Sequence, residues 1–179
     1  MIATIMSGIS GAHVLTNHRD KIGRYTVDAI TLLLEEHEML RKLSKEFADT
    51  TEREAETRKK LLTRLEAELK AHTTIEEELL YPALVAATDD VEDKRRVAEG
   101  IEEHRVCDTK VIPDLHKGDP STIAYSGQAK VLKDYIFHHL DEEEEDMFPK
   151  MRELIDKKQL RELGEKMLAR KNELLGEPA

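Results

Sequence analysis

The sequence reads as an all-α chain: an up-down-up-down four-helix bundle with a short C-terminal fifth helix and an irregular N-terminal arm. Charged residues make up 37%, aromatics only 4% and Trp is missing, which is the composition of helical bundles rather than of sheets. Apolar residues recur at helical period through four long stretches. Short polar breaks separate those stretches, so consecutive helices are expected to lie antiparallel.

Residues 1–25 hold three Gly and two Ser among scattered apolar residues without helical period, hence the arm. The bundle spans 26–155 and a C-terminal helix with its tail spans 156–179. The first helix carries Ile30, Leu33, Leu34, Leu40 and Phe47 on one stripe. Thr51 and Glu54 have capping-box spacing for the second, whose stripe is Leu61, Leu62, Leu65, Leu69, Leu79 and Leu80. Pro82 lies inside that helix and is expected to kink it or fray its last turns. Asp89 and Asp90 offer caps for the third, with Val97, Ile101, Val111, Ile112 and Leu115 on its face. Gly118-Asp119-Pro120-Ser121 ends it, and a capping residue just before Pro120 or at Ser121 starts the fourth. That helix runs through Val131, Leu132, Tyr135 and Ile136 to about Ile155, again with an internal proline. Asp156 and Gln159 form a capping box for the fifth, which ends near Leu175.

The formal net charge of -10 argues against nucleic acid or an anionic membrane as partner. The single cysteine, Cys107, excludes an internal disulfide framework and fits a reducing cytoplasm. No apolar run approaches the roughly 20 residues of a membrane span. Met1 to Tyr25 lacks the apolar core and cleavage site of a signal peptide, so the expected location is cytoplasmic.

One segment occurs twice. His72-Thr-Thr-Ile-Glu76, ending in Tyr81-Pro82, is matched by His139-Leu-Asp-Glu-Glu143, ending in Phe148-Pro149. Positions i and i+4 share a helix face, so each copy aims an imidazole and a carboxylate at one point. His37 and His104 fall in register with the apolar stripes of the first and third helices. Each long helix therefore contributes one inward His, and two contribute an inward Glu. Any one of these histidines alone reads equally well as a satisfied core residue. Four in register, with a repeated His-x-x-x-Glu, point to a metal, because burying that many polar groups uncompensated costs several kcal/mol each. Imidazole with carboxylate suits iron, manganese or zinc, and no thiolate set is present. None of the eight histidines has a Glu three residues before it, which excludes the Glu-x-x-His di-iron class.

His37 in Leu-Glu-Glu-His, the two His-x-x-x-Glu-Glu copies and the isolated His104 resemble the hemerythrin-like (HHE cation-binding) family over roughly residues 26–152. The resemblance implies a non-haem centre of two iron ions with a bridging oxygen species, zinc or manganese being substitutes. Carried over by motif, the ligands are His37, His72, Glu76, His104, His139 and Glu143, with Glu76 and Glu143 as bridges. Oxygen-carrying members have a fifth His four residues after the one on the third helix. Here that position is Asp108, which can ligate, hydrogen-bond a ligand water or leave a coordination site open. This departure favours the four-His branch over reversible oxygen carriage.

The neighbours have two readings each. Cys107 reads as a small buried hydrophobe or as a group approaching the site. Tyr135 gates access, donates a hydrogen bond or merely packs. Gly100 leaves room beside the metal or lets helices approach. His138 points about 100° away from His139 and reads as exposed, as do His13, His18 and His116. The functions that fit are a protein binding oxygen, nitric oxide or peroxide in stress response or sensing, a di-iron enzyme of peroxidase, catalase or oxidase type, and an iron store or iron sensor. The sequence carries no flavin- or rubredoxin-like module, so sustained reduction needs an electron-donor partner.

Overall fold

The computed structural model describes residues 28–176. Among them are five helices and no strand: α1 (Ala29–Ala48), α2 (55–87), α3 (91–117), α4 (123–154) and α5 (Lys157–Leu175). The arm expected at 1–25 lies outside the described residues, with His13 and His18. Most starts follow the local chemistry read from the sequence. Asp28 accepts the Thr31 N–H at 3.0 Å, Glu54 accepts the Thr51 N–H at 2.8 Å, and Asp90 accepts the Glu92 N–H at 2.9 Å. Asp156 and Gln159 complete a capping box for α5, which is nineteen residues long and closes on Gly176 at φ 68°. The cap of α4 is Thr122, one residue later than expected, because Asp119 already takes both the N–H and the hydroxyl of Ser121.

The internal prolines do not break their helices. Before Pro82, Pro113 and Pro149 the backbone widens into one π turn, at Glu76–Leu80, Cys107–Val111 and Glu143–Met147. There the Tyr81, Ile112 and Phe148 N–H groups donate five residues back, to Glu76, Cys107 and Glu143. A proline in a regular α-helix clashes with the carbonyl four residues before it and leaves that carbonyl unpaired. A π turn carries an extra residue through the conflict. The last turns of α2 therefore do not fray at Pro82, as the sequence allowed: the helix continues to Ala87.

The apolar interior is divided in two. One cluster joins Ile30 and Leu33 to Leu80, Leu84, Val97, Phe148 and Met151; the other joins Leu40, Phe47, Leu65, Leu115, Tyr125 and Leu132. Each of α1 to α4 runs from one cluster to the other in alternating sense, the signature of the up-down topology. Between them lies a layer of buried Glu36, His37, His72, Glu76, His104, His139 and Glu143. Three stripe residues prove exposed: Leu34 at 40%, Ile101 at 39% and Val131 at 59%. Each follows or precedes a buried residue (Leu33, Gly100, Leu132) and so points about 100° away from the core.

The fifth helix is packed against the bundle. It lies against α1 and α2, with Leu160 and Met167 in the first cluster. At the opposite end of the bundle Arg58 is fully buried and joins two loops, donating to Thr50 O and Pro120 O at 2.7 Å each and to Ser126 Oγ at 2.7 Å.

Candidate metal centre

His37, His72, Glu76 and Glu143 bring one ligand atom each to within 4.8 Å of one another, and Glu76, His104 and His139 do the same. All six residues named from the sequence are thus drawn together, in two groups that share Glu76. Its two oxygens diverge: Oε1 lies 3.1 Å from His72 Nε2 and Oε2 lies 3.4 Å from His104 Nε2. Glu143 Oε2 faces His37 Nε2 at 3.3 Å and His139 Nε2 at 3.9 Å. Its other oxygen accepts the Tyr81 hydroxyl at 2.8 Å.

Each imidazole is aimed by a carboxylate on its far nitrogen. His72 Nδ1 meets Glu36 at 3.0 Å, His104 meets Glu77 at 2.8 Å, His139 meets Glu103 at 2.7 Å and His37 meets Glu144 at 2.8 Å. These four acids were not singled out in the sequence, yet a signal was there. Each is the chain neighbour of a candidate ligand on its own helix and holds the histidine of the next helix. The relation closes into a ring: α1 holds α2, α2 holds α3, α3 holds α4, and α4 holds α1. The aromatic residues of the repeat follow the same direction. Tyr81 stacks on His104 at 5.8 Å, and Phe148 stacks on His37 at 5.2 Å. Arg41 secures Glu144 at 2.6 Å, and Lys171 of α5 lies 3.1 Å from Glu36 Oε1.

This aiming fixes the chemistry. An ionised carboxylate can only accept, so a neutral imidazole paired to it donates from Nδ1 and carries its lone pair on Nε2. His37 Nε2, His72 Nε2, both oxygens of Glu76 and Glu143 Oε2 are buried without a hydrogen-bond partner. With every carboxylate ionised, lone pairs face lone pairs across about 3 Å. Unsatisfied buried acceptors cost about 1–3 kcal/mol each, and a cation between them removes that cost. The donor set therefore fits a metal.

The second group shows how the charge is held without one. His104 Nε2 and His139 Nε2 are 3.0 Å apart, so one must donate. Burial, then the charge of His139, pushes His104 down to about 3. Burial also opposes charge on His139, but Glu143, the bond to Glu103 and Glu76 outweigh it and raise the imidazole to about 9. The proton thus sits on His139 and is donated to His104. Burial and the neighbouring Glu143 push Glu76 well above the usual carboxylate range. Burial pushes Glu143 the same way, yet His139 and His37 hold it below that range. Tyr81, buried beside both acids, is raised well above 10 and stays a donor.

The four neighbours sort out differently. Asp108 is in neither ligand group; its side chain is 32% exposed and accepts from Lys70 Nζ at 2.8 Å. Cys107 is buried, which raises its thiol to about 12, and it occupies the π-turn position that Glu76 and Glu143 hold in α2 and α4. Tyr135 donates to the Glu103 carbonyl at 3.3 Å. Gly100 leaves no free room: a Cβ there would lie 2.9 Å from the Tyr81 hydroxyl and 3.6 Å from His139. A polar cleft of ≈ 250 Å³ between α3 and α4 reaches His139, Glu143 and Tyr81. On the other side of the Glu103–His139 bond, an apolar hollow of ≈ 20 Å³ lined by Cys107, Asp108 and Tyr135 reaches His72 and His104.

Comparison with known proteins agrees with this geometry. Residues 28–151 match the hemerythrin HHE cation-binding domain. Uncharacterized protein Rv2633c of Mycobacterium tuberculosis (strain H37Rv) is 30% identical over 153 residues, covering 85% of this chain and 90% of that protein. Uncharacterized protein Mb2666c of Mycobacterium bovis matches to the same extent. The crystal structure of a hemerythrin HHE cation-binding domain-containing protein from Mycobacterium kansasii, a homolog of Rv2633c, superposes with a TM-score of 0.72. It is 35% identical and covers 84% of this chain and 88% of that one.

Proposed function

The chain belongs to the hemerythrin HHE cation-binding domain family, and on that premise we propose that it is a non-haem di-iron protein that binds oxygen, nitric oxide or peroxide in oxidative or nitrosative stress. His37, His72, Glu76 and Glu143 would hold one ion; Glu76, His104 and His139 would hold the other. Glu76 would span both, and Glu143 Oε2 would stand between His37 and His139. The observation that carries this reading is the set of buried acceptors without donors, facing one another in two groups joined by Glu76. A bound iron pair would supply one-electron redox change and open positions for small ligands. Around it, Glu36, Glu77, Glu103 and Glu144 fix the imidazole tautomers, and the Tyr81 hydroxyl donates a hydrogen bond to Glu143 Oε1.

A di-iron enzyme acting on peroxide is the second reading. The polar cleft reaching Tyr81, His139 and Glu143 favours it, since it leads a water-sized reactant to the hydrogen-bonding groups beside the buried donors. Metal analysis with absorption spectroscopy on protein from its own host tests the main reading. About two irons per chain are expected, with loss to one or none in Glu76→Ala. Zinc alone, or two-ion occupancy unchanged by Glu76→Ala, would overturn it.

A further inference from the structure

A second cluster of donors stands outside the buried centre. Glu103 of α3 and His138 and Glu142 of α4 bring one ligand atom each to within 4.8 Å of one another. His138 and Glu142 repeat the His-x-x-x-Glu spacing of the inner pair, one residue earlier, and so present it about 100° around the same helix. Their side chains are half exposed, and Nε2 of the one lies 3.3 Å from Oε1 of the other. Glu103 is pinned opposite them, because its Oε2 takes the His139 Nδ1 bond. Both acids of this cluster line the polar cleft, and so does Glu143, whose buried Oε2 has no hydrogen-bond partner. The cleft thus joins Glu103 and Glu142, two of the three outer donors, to His139 and Glu143 of the inner centre.

We propose that Glu103, His138 and Glu142 form a separate cation site at the mouth of the cleft, taking a divalent transition ion and passing it to the buried centre. One imidazole and two carboxylates prefer Mn²⁺, Fe²⁺ or Zn²⁺ to Mg²⁺, whose ligands are oxygens throughout. Three protein ligands leave positions for water, and exposure keeps the ion exchangeable. The two sites share a wall, the Glu103–His139 bond, so an ion held outside is one imidazole away from the inner ligands. The delivery role rests on the reading of the buried groups as a metal centre; the outer site does not.

The test uses the full chain and a His138→Asn/Glu142→Gln variant, both changes falling on an exposed helix face. Protein with its buried centre already loaded is titrated with Mn²⁺ and free Mn²⁺ is followed by electron paramagnetic resonance. The wild type should take one further, weakly held equivalent that Mg²⁺ does not displace, and the variant should take none. Metal-free protein is then mixed with Co²⁺ and the visible spectrum followed in time. The variant should reach the same final occupancy about tenfold more slowly, as loss of a focusing site predicts. No additional Mn²⁺ equivalent, or an equal one in the variant, overturns the outer site. Equal uptake rates overturn the delivery role. Failure of both proteins to take up buried Co²⁺ instead overturns the reading of the inner centre, and the outer site is still judged by its Mn²⁺ equivalent.

Discussion

At the scale of single residues, the site is an arrangement of protons awaiting replacement. In the metal-free protein His139, raised to about 9, is charged at neutral pH, whereas His104, lowered to about 3, is already neutral. On the proposed ligand set, a metal must displace the proton from His139 but meets none on His104. Below about 9 the affinity should therefore weaken about tenfold per pH unit, and it should level off above. The raised Glu76 adds competition in the same direction. Adding Zn²⁺ to unbuffered apo protein at neutral pH should release at least one proton per chain; a flat affinity and no release would contradict the assignment. Gly100→Ala supplies a second prediction at this scale. Its Cβ would sit 2.9 Å from the Tyr81 hydroxyl, so the phenol must shift and its bond to Glu143 is strained. Overpacking of this kind costs about 1–3 kcal/mol, readable as a lower denaturant midpoint. The six inward residues could be named from the sequence because His and Glu on an apolar stripe have few explanations. Glu36, Glu77, Glu103 and Glu144 could not, since an acid beside a ligand points off the stripe and looks like any solvated residue until a neighbouring helix is in place.

At the scale of the element, the prolines carry the lesson. Read singly, Pro82 promises a kink or frayed last turns, because a regular helix cannot pair the carbonyl four residues before it. The structure widens the helix instead, and does so three times, always beginning six residues before the proline. Two of those turns begin on Glu76 and Glu143, so the distortion and the proposed ligand position coincide. The caps of α3 and α5 and the capping box of α2 were legible because capping is local chemistry, whereas α1 starts at Ala29 on an Asp28 cap that the apolar stripe alone did not mark. Arg58 was not legible, since its partners Thr50, Pro120 and Ser126 meet only when two loops are brought together. Arg58→Met should cost about 2–4 kcal/mol, from loop carbonyls left without donors and lost charge-assisted bonds. That loss should lower the melting temperature while leaving metal content per folded chain unchanged, because Arg58 lies at the far end from the centre.

At the scale of the whole molecule, a polar layer divides two apolar cores, and stability should depend on what fills it. Composition and period made the four-helix topology legible, but not the division of the core, which follows from the matched heights of the inward residues. The packing of α5 was equally hidden, because Lys171 finds Glu36 only across the surface of α1 and α2. Removing metal leaves the buried acceptors of the layer facing one another. A ligand present at about 100 times its Kd stabilises a fold by about 2.7 kcal/mol. In a chain of this size that is roughly 5–10 °C per ion. Scanning calorimetry of loaded and chelated protein should show at least that separation; coincident transitions would mean the six inward residues do not share an ion.

The ring of carboxylates around the imidazoles has a consequence for how the four helices keep step. Slide one of them by a single turn, about 5.4 Å, and it fails two partners together. Its histidine leaves the acid behind it, and its acid leaves the histidine ahead. Because the dependencies close on themselves, no free end exists where a slip could be absorbed. The ring is a checksum on alignment, and a molecule folded out of phase should be passed over by the metal.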